Sequence, residues 1–155
     1  METRAMRAQD VPACVAIINH IIAQGGSTAH EEPFTDQDFA AYYMTDPAIS
    51  NVVLDQGRVV GFQAVFDVGE GLYSIGSFTD RRNPVRGAGR VLFARTLEDC
   101  RARGGVAILA RITSDNTGGL AFYSSMGFAD WQVIPGDHRR KDGTLVDRIV
   151  KRLPL

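Results

Sequence analysis

At 155 residues, with 45% hydrophobic and 23% charged side chains, the chain is long enough to bury a core without disulfide or metal staples. A net charge of −1 and a pI of about 6.3 leave no electrostatic footprint for nucleic acid or for an anionic membrane surface. The opening METRAMRAQD has no apolar signal core, and no apolar run approaches the roughly 18 residues of a membrane span, so one cytoplasmic domain over residues 1–155 is expected.

Taken in order, Thr3 to Ala8 reads as a short first strand. Asp10 then caps a helix whose apolar positions Val11, Val15, Ile18 and Ile22 keep helical spacing up to Gly25-Gly26. Thr35 with Asp38 three residues later opens a second, shorter helix through about Met44, with Pro47 beyond it. Strands at 51–56 and 58–68 are joined by a tight turn at Gln56-Gly57, and Gly69-Glu70-Gly71 leads into a third at 72–79. A long helix from about Gly87 to Arg103 carries Phe93, Leu97 and Cys100 on one face. A buried strand (106–112), a helix from near Asn116 to Gly127, and strands at 128–134 and 144–153 complete the chain. The order βααβββαβαββ predicts an α/β fold. Its sheet has about seven mixed, mostly antiparallel strands with about four flanking helices and one helical crossover in the middle. Cys14 and Cys100 fall on apolar helical stripes far apart in sequence. They read as buried free thiols of a reducing compartment, without metal-ligand spacing.

The segment Arg86-Gly87-Ala88-Gly89-Arg90-Val91 stands where a strand gives way to a helix. Glycines there let the backbone approach a ligand closely, and the first amides of the helix are unpaired and partially positive. Such a place suits a pyrophosphate, with Arg86 and Arg90 adding charge. It is not a Walker loop, because no Gly-Lys-Ser/Thr follows. It is a poor dinucleotide fingerprint, because Leu92 replaces the third glycine. Taken alone, the same residues describe a tight turn equally well.

About thirty residues downstream runs Asn116-Thr-Gly-Gly-Leu-Ala-Phe122-Tyr123-Ser-Ser-Met-Gly127-Phe128. This resembles the asparagine-to-Tyr-x-x-x-Gly-Phe element of the GNAT N-acetyltransferase superfamily. The upstream loop resembles that superfamily's Gln/Arg-x-x-Gly-x-Gly/Ala loop, with Arg86 and Gly89 matching. The segments Ile18-Asn19-His20 and Glu32-Pro33-Phe34-Thr35, together with the tail from Asp142 to Asp147, are similar to the phosphinothricin acetyltransferase-like branch. The resemblance implies a GNAT-like fold, acetyl-CoA as cosubstrate, a small-molecule amine such as an amino acid as acceptor, and a homodimer.

Carried onto this chain, the resemblance places the acetyl-CoA pyrophosphate on Arg86, Gly87, Ala88, Gly89, Arg90 and Val91. The pantetheine arm would lie along the backbone of Phe78 and Thr79, with Asn116 on its other side. Tyr123 would donate a proton or hydrogen bond to the departing thiolate. Asp80 is the candidate base, with Glu70, His138 or a water relay as alternatives. His30, Glu32, Tyr73 and His138 are candidate acceptor-side residues, and Arg139 and Arg140 can bind a substrate carboxylate or form a solvated charge run. Trp131 reads as core or dimer packing. Three departures stand out. Val91 occupies the loop's final Gly/Ala position and would crowd the ligand unless only its backbone amide is used, the stretch 80–86 is a residue or two long, and Gly76 and Ser77 stand where many relatives carry an acid. A GNAT-fold acyl-CoA-binding module with little catalysis, or a protein N-acetyltransferase, fits the same residues.

Overall fold

The computed structural model describes all 155 residues, and every strand joins one seven-stranded sheet in the order β1-β2-β3-β4-β5-β7-β6. The strands are β1 (Glu2–Ala5), β2 (Ile49–Asp55), β3 (Arg58–Gly69), β4 (Leu72–Thr79), β5 (Ala107–Thr113), β6 (Ala129–Arg139) and β7 (Leu145–Pro154). The helices are α1 (Val11–Gln24), α2 (Asp36–Phe39), α3 (Ala88–Ala102) and α4 (Thr117–Ser125). Both Gln56 and Gly57 have positive φ, the geometry of a two-residue hairpin turn that pairs Asp55 with Arg58. Neighbouring strands are antiparallel except β4 and β5, which run parallel because α3 crosses over between them. That is the mixed α/β sheet expected from the element order.

Three local details depart from expectation. Asp10 is buried, but its carboxylate accepts from the Arg7 amide at 2.8 Å and from Arg4 at 2.7 and 2.9 Å, so it closes a turn before α1 instead of capping the helix. Thr35 does cap α2 through Asp38, and the helix then widens to π geometry over Ala40–Thr45. Pro135 to Arg139, beyond the end of the strand expected at 128–134, belong to β6. Pro135 and Gly136 fall in an irregularity between Ile134 and His138, and proline is tolerated there because β6 is an edge strand with no partner on its outer side.

Side-chain alternation divides the core. Phe62 and Phe78 point to one face, where they meet Ile17, Ile18 and Phe39 from α1 and α2. Val65, Tyr73 and Ile75 point to the other, against Phe93, Cys100 and Phe128. Phe62 is fully buried and touches both Phe39 and Phe78, with ring centroids 5.1 Å apart in each pair. Phe62→Ala is expected to cost about 3–5 kcal/mol, because the strand behind it cannot collapse to fill the space. That corresponds to a fall of roughly 10 °C in thermal midpoint, read by calorimetry or circular dichroism.

The feature that positions the site is a failure of pairing. β4 and β5 are bonded only over Leu72–Ile75 and Ala107–Ala110. Beyond those residues, Gly76 to Thr79 and Arg111 to Thr113 diverge, and the sheet opens into a wedge at the carboxyl ends of its two parallel strands. Ligands of α/β sheets bind at such a point.

Candidate active site

The wedge widens into a cleft of about 930 Å³. Its walls are the free ends of β4 and β5, the first turn of α3, the inner side of α4, and the 27–30 segment that follows α1. At one end, Gly87 sits at φ +84° as the N-cap of α3, a conformation that glycine adopts without strain. The Val91 amide turns back to the Gly87 carbonyl, while the amides of Gly89 and Arg90 meet no acceptor. Two unpaired donors at a positive helix end make an anion cradle. A Cβ on Gly89 would stand 2.9 Å from the Phe122 ring, so glycine is what lets α3 lie against α4 here.

Other loop residues divide by face. Ala88 is buried, Arg90 lines the cleft mouth, and Arg86 is exposed outside it. Val91 does not crowd the cleft. Its side chain packs in the cluster that Leu92 of α3 forms with Val53 and Val60 of the sheet. Phe78 buries its ring against Phe62, so β4 offers a ligand its backbone here, as it does at Thr79.

Tyr123 lies in the middle of the cleft. Its ring is buried on α4, and its hydroxyl donates to Ser77 Oγ on the free end of β4 at 2.8 Å. Burial pushes the Tyr123 phenol up to about 12, against the opposing pull of Ser77, so it stays protonated at neutral pH. Asn116 Oδ1 accepts from the Gly119 amide and its Nδ2 donates to the Ser27 carbonyl, both at 2.9 Å. Its side chain caps α4 and ties it to the segment after α1, which leaves little of it for a pantetheine arm.

At the far end the lining is aromatic. His30, Tyr42, Tyr43 and Phe66 face the cleft, and His30 Nε2 lies 2.5 Å from the Tyr43 hydroxyl. Burial lowers the His30 pKa below its ordinary 6.5, so the ring is neutral at pH 7. The 27–30 segment is held from three sides. Arg81 donates to Ser27 Oγ, Asn116 to the Ser27 carbonyl, and Arg140 to the Thr28 carbonyl. Arg140 also pairs with Glu31 and Asp115 and is only 10% exposed, so its guanidinium fastens loops and is not free for a substrate carboxylate. Arg139 donates to the Gly143 carbonyl.

Asp80, Tyr73, Glu32 and His138 also lie off the cleft. Asp80 is 3% exposed and held by Arg58 at 3.0 Å and Arg82 at 3.1 Å. Burial alone would raise its pKa, but the Arg82 hydrogen bonds outweigh burial and hold it below the usual carboxylate range, which makes it a poor base. Tyr73 is buried on the α3 face beside Phe93 and Cys100, in the part of β4 still joined to β5. Glu32 is exposed, pairs with Lys141, and lines a separate shallow pocket beside the cleft. His138 Nε2 meets Glu31 Oε1 at 3.0 Å outside the cleft wall. Sequence reading gave no role in the site to Ser77, Gln63, Tyr43 or Phe122. Of these, Gln63 carried a signal, as the one polar residue in the apolar run 59–66.

A family model described as the acetyltransferase (GNAT) family matches residues 16–128, well over half of the chain. The chain belongs to this family. As a GNAT acetyltransferase it takes its acyl group from acetyl-CoA, and the unpaired amides of Gly89 and Arg90 suit that cosubstrate's pyrophosphate. The acetyltransferase is 27% identical to YwnH of Bacillus subtilis (strain 168), which carries a provisional phosphinothricin acetyltransferase name, over 96% of this chain and 98% of the relative. A ribosomal-protein-alanine N-acetyltransferase from Brucella melitensis matches with a TM-score of 0.90 at 20% identity, over 100% of both chains. A GNAT phosphinothricin acetyltransferase from Sinorhizobium meliloti, solved in complex with acetyl-CoA, gives 0.88 at 20% identity, over 99% of this chain and 88% of that one. These structural matches establish the shared fold. No helix of the acetyltransferase is long and apolar enough to cross a membrane.

Proposed function

We propose that the enzyme transfers the acetyl group of acetyl-CoA directly to the primary amine of a small molecule, an amino acid or analogue. The observation that carries the acceptor class is the fastened 27–30 segment. With Arg81, Asn116 and Arg140 all holding it, this segment gives the aromatic end of the cleft a fixed wall, which favours a small amine over a polypeptide.

In this reading the backbone of 76–79 and the α3 amides hold acetyl-CoA, and His30, Tyr42, Tyr43 and Phe66 hold the acceptor. Bringing the amine nitrogen in line with the thioester carbon supplies much of the rate. Neutral His30, with Tyr43 as its hydrogen-bonded partner, takes the proton that the attacking nitrogen loses. Tyr123 gives a hydrogen bond to the departing sulfur. We place the enzyme in the cytoplasm, where the buried thiols Cys14 and Cys100 stay reduced. The exposed Trp131 and Val133 on edge strand β6 support a homodimer.

A panel of primary amines, followed by release of free thiol, tests this reading. Turnover is expected on amino-acid-like amines and none on folded proteins or N-terminal peptides. The reverse pattern would overturn it. With the best acceptor, kcat is expected to fall as pH drops through the His30 pKa, below 6.5, because the protonated ring cannot accept a proton. His30→Gln should abolish that acid limb and reduce kcat roughly 100-fold. An unchanged limb in the variant would assign the base elsewhere.

A further inference from the structure

Gln63 is fully buried in the middle of β3, and neither its side-chain nitrogen nor its oxygen has a hydrogen-bond partner. An amide left in that state costs about 1–3 kcal/mol. No other buried side chain in the protein is left without partners in this way. In the β3–β4 register Gln63 stands directly opposite Ser77, and Ser77 Oγ is the atom that receives the Tyr123 hydroxyl. Opposite residues on paired strands have Cβ atoms about 5 Å apart, within the reach of a carboxamide that turns about its own side-chain bonds. On its other flank stands Asn51 of β2, whose Nδ2 is already committed to Thr96 and Asp99 of α3. Gln63, Ser77 and Tyr123 all line the cleft.

We propose that Gln63 is a positioning residue that frees Tyr123 for the leaving sulfur by replacing it at Ser77. In the resting arrangement Tyr123 donates to Ser77, and the Gln63 amide is idle. When the Tyr123 hydroxyl turns to the sulfur, Ser77 Oγ loses its donor and receives the Gln63 N–H in its place. The bond that Gln63 gains then offsets the one that Ser77 loses. The interaction is made only when negative charge has developed on sulfur, which is where binding energy accelerates a reaction. No covalent step is added. The inference rests on the reading of Tyr123 given above.

The test compares two ligands and needs no acceptor. Coenzyme A at about pH 9.5 carries a substantial thiolate fraction, whereas acetyl-CoA presents no charge on sulfur. Titration calorimetry of Gln63→Met, which keeps the side chain's length without its amide, is expected to show coenzyme A weakened about tenfold and acetyl-CoA unchanged. The thermal midpoint should be equal or higher, since an unmet polar group is gone. A purely structural role would lower the midpoint and move both affinities together. Gln63→Leu is the second probe, and because the readout is the ratio of two affinities, a loss of folded protein cancels. An unchanged ratio in both variants, with normal acetyl-CoA binding, removes the role of Gln63 and leaves the acetyltransferase reading intact. Failure of the parent chain to bind either ligand would sink both.

Discussion

Gly89→Val is expected to weaken acetyl-CoA binding roughly 100-fold while the chain stays folded. The glycine Cβ position is 2.9 Å from a Phe122 ring carbon, tighter than real contacts allow, and valine adds two methyl groups beyond it. Relief has two directions, and both harm the site. If the Phe122 ring turns away, it swings into the cleft that it lines. If α3 shifts instead, the amides of Gly89 and Arg90 move off the position where a pyrophosphate meets them. Hydrogen bonds to a charged group contribute about 1.5–3 kcal/mol each and about 1.4 kcal/mol is tenfold, so weakening both without losing either outright gives the stated factor. The thermal midpoint should fall only a few degrees, because the residue lies in the first turn of α3 and outside the main clusters. Calorimetric titration reads the affinity. An unchanged value would mean that the phosphates rest elsewhere.

Tyr123→Phe should lower kcat about 100-fold and leave acetyl-CoA affinity within twofold. The substitution removes one hydroxyl from a ring that remains packed between Phe122 and Phe128, so folding is little disturbed. What disappears is the donor that faces Ser77 at rest and the sulfur during transfer. Because burial raises this phenol to about 12, the parent enzyme should show no alkaline loss of kcat near pH 10, where an ordinary tyrosine titrates. Full activity in the phenylalanine variant would exclude Tyr123 from proton or hydrogen-bond donation.

The sequence carried the fold well because its signals are local. Helical spacing in α1, the Gln56-Gly57 turn and the glycines before and after α3 each specify an element without help from distant residues. Pro135-Gly136 misled because turn residues also serve in an irregular edge strand, and only the pairing with β7 distinguishes the two uses. The helix terminus and glycines proposed to hold the cosubstrate were legible for the same reason as the fold. The aromatic end of the cleft was not. It depends on where β4 stops pairing with β5, a property of the assembled sheet that no short segment encodes. Asp80 appeared available because the sequence shows Arg82 two residues on without showing that it folds back onto the carboxylate, and does not show Arg58 arriving from the start of β3. Tyr73 and Ser77 share a face of β4, but only the second lies beyond the split. Gln63 broke an apolar run, and that irregularity marked a polar group placed beneath the site.

The central claim is that the α3 amides and the open end of β4 form one site for acetyl-CoA, with Tyr123 at the sulfur. It is tested most directly by titrating acetyl-CoA into the parent chain, Gly89→Val and Tyr123→Phe, and following thermal midpoint and heat together. A ligand of the native state raises the midpoint with concentration. The expected result is a concentration-dependent rise in the parent and in Tyr123→Phe, and a rise in Gly89→Val only at roughly 100-fold higher ligand. No shift in the parent at millimolar acetyl-CoA, or equal shifts in all three proteins, would contradict it.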